Sequence, residues 1–125
     1  MQLSPRVETF GAGDQSWLGS KHGTDAARTV TIDVTAMSGK IANGVIKSGE
    51  ALGKITATGL YSAYASGGSG GVEVLAGFLL CDTPVVTGAG NVVAAMVDHG
   101  RVKLSKLPST VTAAASTSGQ FVFVA

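Results

Sequence analysis

The run Val45-Ile46-Lys47-Ser48-Gly49-Glu50-Ala51-Leu52-Gly53-Lys54-Ile55-Thr56-Ala57-Thr58-Gly59-Leu60-Tyr61-Ser62-Ala63-Tyr64 decides how this chain is read. Two short apolar runs, at 45–46 and 51–55, flank the turn 47–50, and a second turn at Thr58-Gly59 leads into the Tyr61/Tyr64 pair. Gly49 and Gly59 stand where a tight turn needs backbone freedom that other residues lack. Short strands joined by such turns make a bent ribbon, and none of these side chains forms an evident catalytic group. The stretch is expected to be a scaffold.

Outward from it, the same grammar continues. Thr29-Val30-Thr31-Ile32-Asp33-Val34 alternates strictly, which predicts a strand with Val30, Ile32 and Val34 on one face. Asn43-Gly44 is a hairpin-turn dipeptide. Residues 65–71, Ala-Ser-Gly-Gly-Ser-Gly-Gly, read as a solvent-exposed tip. Residues 72–80 form the most apolar segment and are expected to supply the core. Residues 92–97 and 101–104 predict two strands joined through Asp98-His99-Gly100 as a hairpin. Residues 120–124, Gln-Phe-Val-Phe-Val, predict a closing strand that must pair, because so apolar an edge left open invites aggregation. The fold class expected is mainly β, a bent ribbon of short strands with little helix.

The first 28 residues read differently. They hold Pro5, four glycines and scattered charges, with Phe10, Trp17 and Leu18 as their large apolar residues, and no period persists through them. Such a segment buries too little to offset its ordering entropy, so residues 1–28 are expected to be an extended N-terminal arm and residues 29–125 a compact β-rich domain. The single Trp of the chain lies in that arm. Trp17 can pack back on the domain or serve as an anchor for another protein, and Trp is over-represented among interface hot spots.

Composition narrows the function classes. The chain of 125 residues has a formal net charge of +1, and only 14% of its residues are charged, against about 25% in ordinary domains. A near-neutral chain without a basic stripe is a poor nucleic-acid binder. No apolar run approaches the ~20 residues that span a bilayer. Met1 to Glu8 carries no signal-peptide core, so synthesis in a cytosol is expected. One cysteine, Cys81, excludes an internal disulfide framework and reads as a buried thiol.

Motifs for chemistry fail one by one. The Gly-Lys pairs 39–40 and 53–54 are followed by Ile41 and Ile55, where a phosphate loop needs a hydroxyl for magnesium. Neither Gly11-Ala12-Gly13 nor Gly88-Ala89-Gly90 completes a dinucleotide fingerprint. His22, His99 and Cys81 have no zinc-ligand spacing. Asp98-His99 could be an oriented base, but neighbours in a tight turn seldom reach that geometry, and a solvated hairpin tip is expected. The eight carboxylates form no obvious dyad. The 47–55 turn is reminiscent of lysine carriers of biotinyl or lipoyl groups, but no Lys stands at an equivalent tip. Catalytic residues, cofactors and metals are therefore all expected to be absent, and the chain reads as a structural protein rather than an enzyme.

One string of segments has specificity in its order. Asp14 to Thr24 (Asp-Gln-Ser-Trp-Leu-Gly-Ser-Lys-His-Gly-Thr) is followed by Thr31-Ile32-Asp33-Val34, Asn43-Gly44, Ile46 to Gly49, Leu52-Gly53-Lys54 and Gly59-Leu60-Tyr61. Then come Ala76-Gly77-Phe78-Leu79, Val97 to Val102 and the Phe-Val-Phe-Val end. This pattern resembles the lambda-type head decoration proteins of tailed bacteriophages, closest to members from phages of actinobacteria. The glycine tip at 66–71 departs from it, where more polar residues are expected.

The resemblance implies a β-clip-type subunit assembled as a homotrimer. Such trimers sit on the outer surface of the expanded phage head at three-fold and quasi-three-fold positions and clamp the major capsid protein against internal DNA pressure. It implies a virion location after synthesis in host cytoplasm, with the arm as the capsid-binding element. Phe10, Trp17 and Leu18 are the expected anchors, and neither nucleic acid nor membrane is an expected partner. A small ligand-binding β module and a virion adhesion domain are the alternatives that share this composition.

Overall fold

The structure is a computed structural model and describes residues 15–19, 27–86, 90–109, 111 and 117–124. It is mainly β. In chain order the strands are β1 (Arg28–Ile32), β2 (Ile41–Ala42), β3 (Val45–Ile46), β4 (Ala51–Lys54), β5 (Tyr61–Ala63), β6 (Gly77–Leu79), β7 (Thr83–Pro84), β8 (Val92–Val97), β9 (His99–Lys103) and β10 (Gln120–Val124). Two 3₁₀ turns, Ser38–Lys40 and Leu104–Lys106, are the helical elements among the described residues.

Five strands close into a barrel in the order β1-β5-β4-β6-β8, with β8 returning to β1 over five residue pairs from Arg28↔Met96 to Ile32↔Val92. Closure leaves these strands no open edge. A three-stranded sheet β2-β3-β7 and a parallel pair β9–β10 flank the barrel.

Alternation along three strands explains where the core sits. Leu52 on β4, Leu79 on β6 and Met96 on β8 point into the barrel, where they meet Val30, Ile32 and Tyr61. Their chain neighbours Ala51, Phe78 and Val97 point outward into a second core with Trp17, Leu75, Val102 and Val111. The β9–β10 pair closes that second core with Phe121 and Phe123, whose rings lie 5.1 and 6.5 Å from Phe78. Strands buried on both faces need apolar residues at every position, which is why residues 75–79 are apolar without a period. Gly77 is small for a related reason: a Cβ there would collide with the Val97 carbonyl and lie 2.8 Å from Met96 Cγ.

The opening ribbon is present but divided. β4 and β5 form the antiparallel hairpin expected around Gly59, which has φ +74°, with Lys54 opposite Tyr61. β3, however, pairs with β2 and β7, so the turn 47–50 carries the chain from one sheet to another. Asn43 and Gly44, at φ 53° and 73°, make the predicted turn between β2 and β3. Val30 and Ile32 are buried as the alternation of β1 requires.

Three expectations are corrected. β8 and β9 are not a hairpin: β8 belongs to the barrel and β9 pairs with β10, because Val97 and Val102 serve the second core from different layers. Val72 to Val74 is a half-buried turn, so the core strand is only Gly77–Leu79. Cys81, expected to be buried, is half-buried and free, with the Gln15 amide nitrogen 3.9 Å from its sulfur. Of the segment 1–28 read as an arm, residues 15–19 and Arg28 are tied to the folded body, and Ala27 is its one other described residue.

Candidate functional site

The sequence points first to Phe10, Trp17 and Leu18. Phe10 lies outside the described residues. Leu18 forms an antiparallel bridge to Val102 and packs against the second core. The amide of Lys103 donates to the Trp17 carbonyl at 2.7 Å, and the amide of Gly19 donates to the Arg101 carbonyl at 2.8 Å. Trp17-Leu18-Gly19 is thus a short strand-like staple along one edge of β9, with β10 along the other.

Trp17 is fully buried, the packing back on the domain that is one of its two sequence readings. Its ring lies 5.6 Å from Phe78, and its indole Nε1 donates to Ser48 Oγ at 3.0 Å. Ser48 Oγ in turn donates to the Leu80 carbonyl at 2.7 Å, and the Ser48 amide donates to Asp82 Oδ1 at 2.7 Å. The physical reason is pairing: a buried indole needs an acceptor for its N–H, and the 47–50 turn supplies one. That turn also fits closely. Gly49 has φ +88°, and a Cβ there would sit 2.7 Å from Trp17 Cδ1.

Next to this turn lies a buried carboxylate that the sequence did not single out. Glu50 is 4% exposed. Ser109 Oγ donates to its Oε1 at 2.8 Å, Lys40 Nζ donates to Ser109 Oγ at 3.1 Å, and Lys40 Nζ stands 3.9 Å from the carboxylate. Burial pushes the Glu50 carboxyl above its ordinary value, and the Ser109 hydrogen bond and the Lys40 charge pull it part of the way back. The cluster ties the 3₁₀ turn Ser38–Lys40, the start of β4 and the segment after Leu104–Lys106 together.

Asp98 and His99 do form a side-chain pair, contrary to the expectation from their adjacency. His99 Nδ1 lies 2.8 Å from Asp98 Oδ1, and Arg28 stands 3.9 Å from the other oxygen. Because no hairpin turn joins β8 and β9, the dipeptide bridges the barrel and the outer sheet, and both side chains are half-buried rather than solvated. Among the described residues, no three His, Cys, Asp or Glu side chains are grouped to hold a metal ion. No helix among them is long and apolar enough to cross a membrane.

The outer face of β9–β10 is the remaining feature. An open groove of about 570 Å³ lies over it, lined by His99, Arg101, Gln120 and Val122 among others. The signal for it was in the sequence: in His99-Gly100-Arg101-Val102-Lys103, Arg101 and Lys103 alternate with small or apolar residues, which reads as a strand with one basic face. No protein-family model, curated protein or solved structure matches the chain.

Proposed function

We propose that the chain is a structural protein of a bacteriophage head, a homotrimeric decoration subunit that binds the outer surface of the expanded shell and clamps its capsid protein. The order and spacing of the segments from Asp14 to the Phe-Val-Phe-Val end carry this reading. The mainly β body is the kind of scaffold it calls for. In this reading the arm is shorter than 28 residues, since Gln15 to Gly19 are tied to β9. The 14 residues before Gln15 span at most about 46 Å at ~3.3 Å each, enough to reach across a neighbouring subunit.

Extended segments of this kind bind by adding a strand to an exposed sheet edge, with backbone hydrogen bonds supplying affinity. Ordering such a segment weakens each attachment. Three arms on one trimer turn the second and third attachments into near-intramolecular events, raising avidity by roughly 10²–10⁴ where the geometry fits. Sedimentation of the protein alone and with expanded, DNA-free shells tests the reading. A trimer that co-sediments with expanded shells supports it, and a monomer that leaves the shells bare overturns it.

A further inference from the structure

We propose that the β9–β10 sheet is a docking site for an extended acidic polypeptide segment, which adds as a third strand to the open edge of β10. This does not rest on the head-protein reading. Three observations combine. First, β10 pairs with β9 along one edge, and among the described residues no strand pairs with its other edge. That edge, Gln-Phe-Val-Phe-Val, carries none of the charges, prolines or bulges that normally protect an open strand.

Second, the parallel register places Gln120 beside His99, Val122 beside Arg101 and Val124 beside Lys103 on the outward face, while Phe121 and Phe123 turn in against Phe78. Val122 is 56% exposed, so two valines, Val122 and Val124, stand along the edge beside the cations Arg101 and Lys103. Third, the cations are available. Arg101 and Lys103 are exposed and form no ion pair among the described residues, whereas the nearby carboxylate, Asp98, is engaged by His99 and Arg28.

A strand that pairs with β10 presents every second side chain to this outward face. Its outward carboxylates would reach over Val122 and the groove of about 570 Å³ toward Arg101, with Lys103 two residues on, while the apolar side chains between them turn to the inner face beside Phe121 and Phe123. The sheet edge supplies affinity through main-chain hydrogen bonds, and the cationic row selects acidic over basic sequences. A polyanion could use the same charges but would make no use of the open edge.

The test uses the full chain and three probes: a short peptide of alternating Val and Glu, its Val/Lys counterpart, and a single-stranded oligonucleotide. The acidic peptide should bind, weaken as salt rises, and slow hydrogen exchange at the amides of Phe121 and Phe123, which face the open edge while those of Gln120 and Val122 face β9. K103E should weaken it about tenfold. Arg101→Gln, which keeps most of the aliphatic stem lying over Gly19, should do the same while β10 remains folded by its own exchange protection. Equal binding of acidic and basic peptides, binding without protection at Phe121 and Phe123, indifference to both substitutions, or preference for the oligonucleotide would each overturn the proposal.

Discussion

Replacing Trp17 by Ala should cost the fold about 3–5 kcal/mol, the range for emptying a buried aromatic site. The structure places the upper half of that range within reach. The side chain is fully buried, stacks obliquely on Phe78 at 5.6 Å and satisfies its N–H on Ser48 at 3.0 Å, so Ala loses packing, dispersion and a buried hydrogen bond together. Against a total stability of about 5–15 kcal/mol, this is a large fraction. For a chain of 125 residues it corresponds to a fall in Tm of roughly 10–30 °C. Trp17→Phe is the finer probe. It keeps a ring against Phe78 but removes the indole donor, and should cost about 1–3 kcal/mol. Combined with Ser48→Ala it should show a coupling of about 1 kcal/mol. Urea unfolding followed by circular dichroism measures all four variants, Ser48→Ala alone included, and the tryptophan fluorescence of the native unsubstituted chain should be that of a water-shielded indole. A loss below about 0.5 kcal/mol for W17A, the size expected at a bare surface position, together with water-exposed emission, would refute the burial of the staple and restore Trp17 to the arm.

Gly49→Ala should destabilise by about 2–4 kcal/mol, since it adds left-handed backbone strain of ~1–2 kcal/mol to a collision with Trp17. Gly39→Ala, with open space around it, should be near neutral in the same unfolding assay. Glu50 gives a pH signature. Its folded pKa is raised above the ordinary 4.5, so the unfolded chain ionises first. The stability it contributes is full below 4.5 and is lost as pH rises through the folded pKa. Glu50→Gln, which can still accept from Ser109, should remove that slope between acid and neutral pH, and an unchanged slope in urea midpoints would count against the buried carboxylate. Deleting residues 1–14 should leave the unfolding midpoint unchanged but abolish shell binding, whereas deleting 1–19 should also unfold the second core.

The strands that alternate or turn on signature dipeptides were readable from sequence: β1 from Val30 and Ile32, the β2–β3 turn from Asn43-Gly44, the β4–β5 turn from Gly59. Partner choice was not. Residues 97–102 look like a hairpin because local spacing cannot report that Val97 and Val102 face one core from two layers. For Trp17 the sequence left two readings, packing on the domain or anchoring a partner, for the converse reason. Its surroundings in sequence are glycine-rich and polar, and the residues against its ring, Ser48, Gly49 and Phe78, are all distant along the chain. Glu50 reads as a turn residue until the Ser109 hydroxyl and Lys40 are brought to it from 59 and 10 positions away. The basic row on β9 was legible as alternation, but its meaning required the open edge of β10 beside it.

The claim that this scaffold is a head decoration subunit is tested most directly by electron cryo-microscopy of expanded phage heads assembled with and without the protein. Added density is expected at the three-fold and quasi-three-fold positions of the outer surface, trimeric in outline, present only with the full chain. Heads that look the same with and without it, or added density at the tail instead, would contradict it.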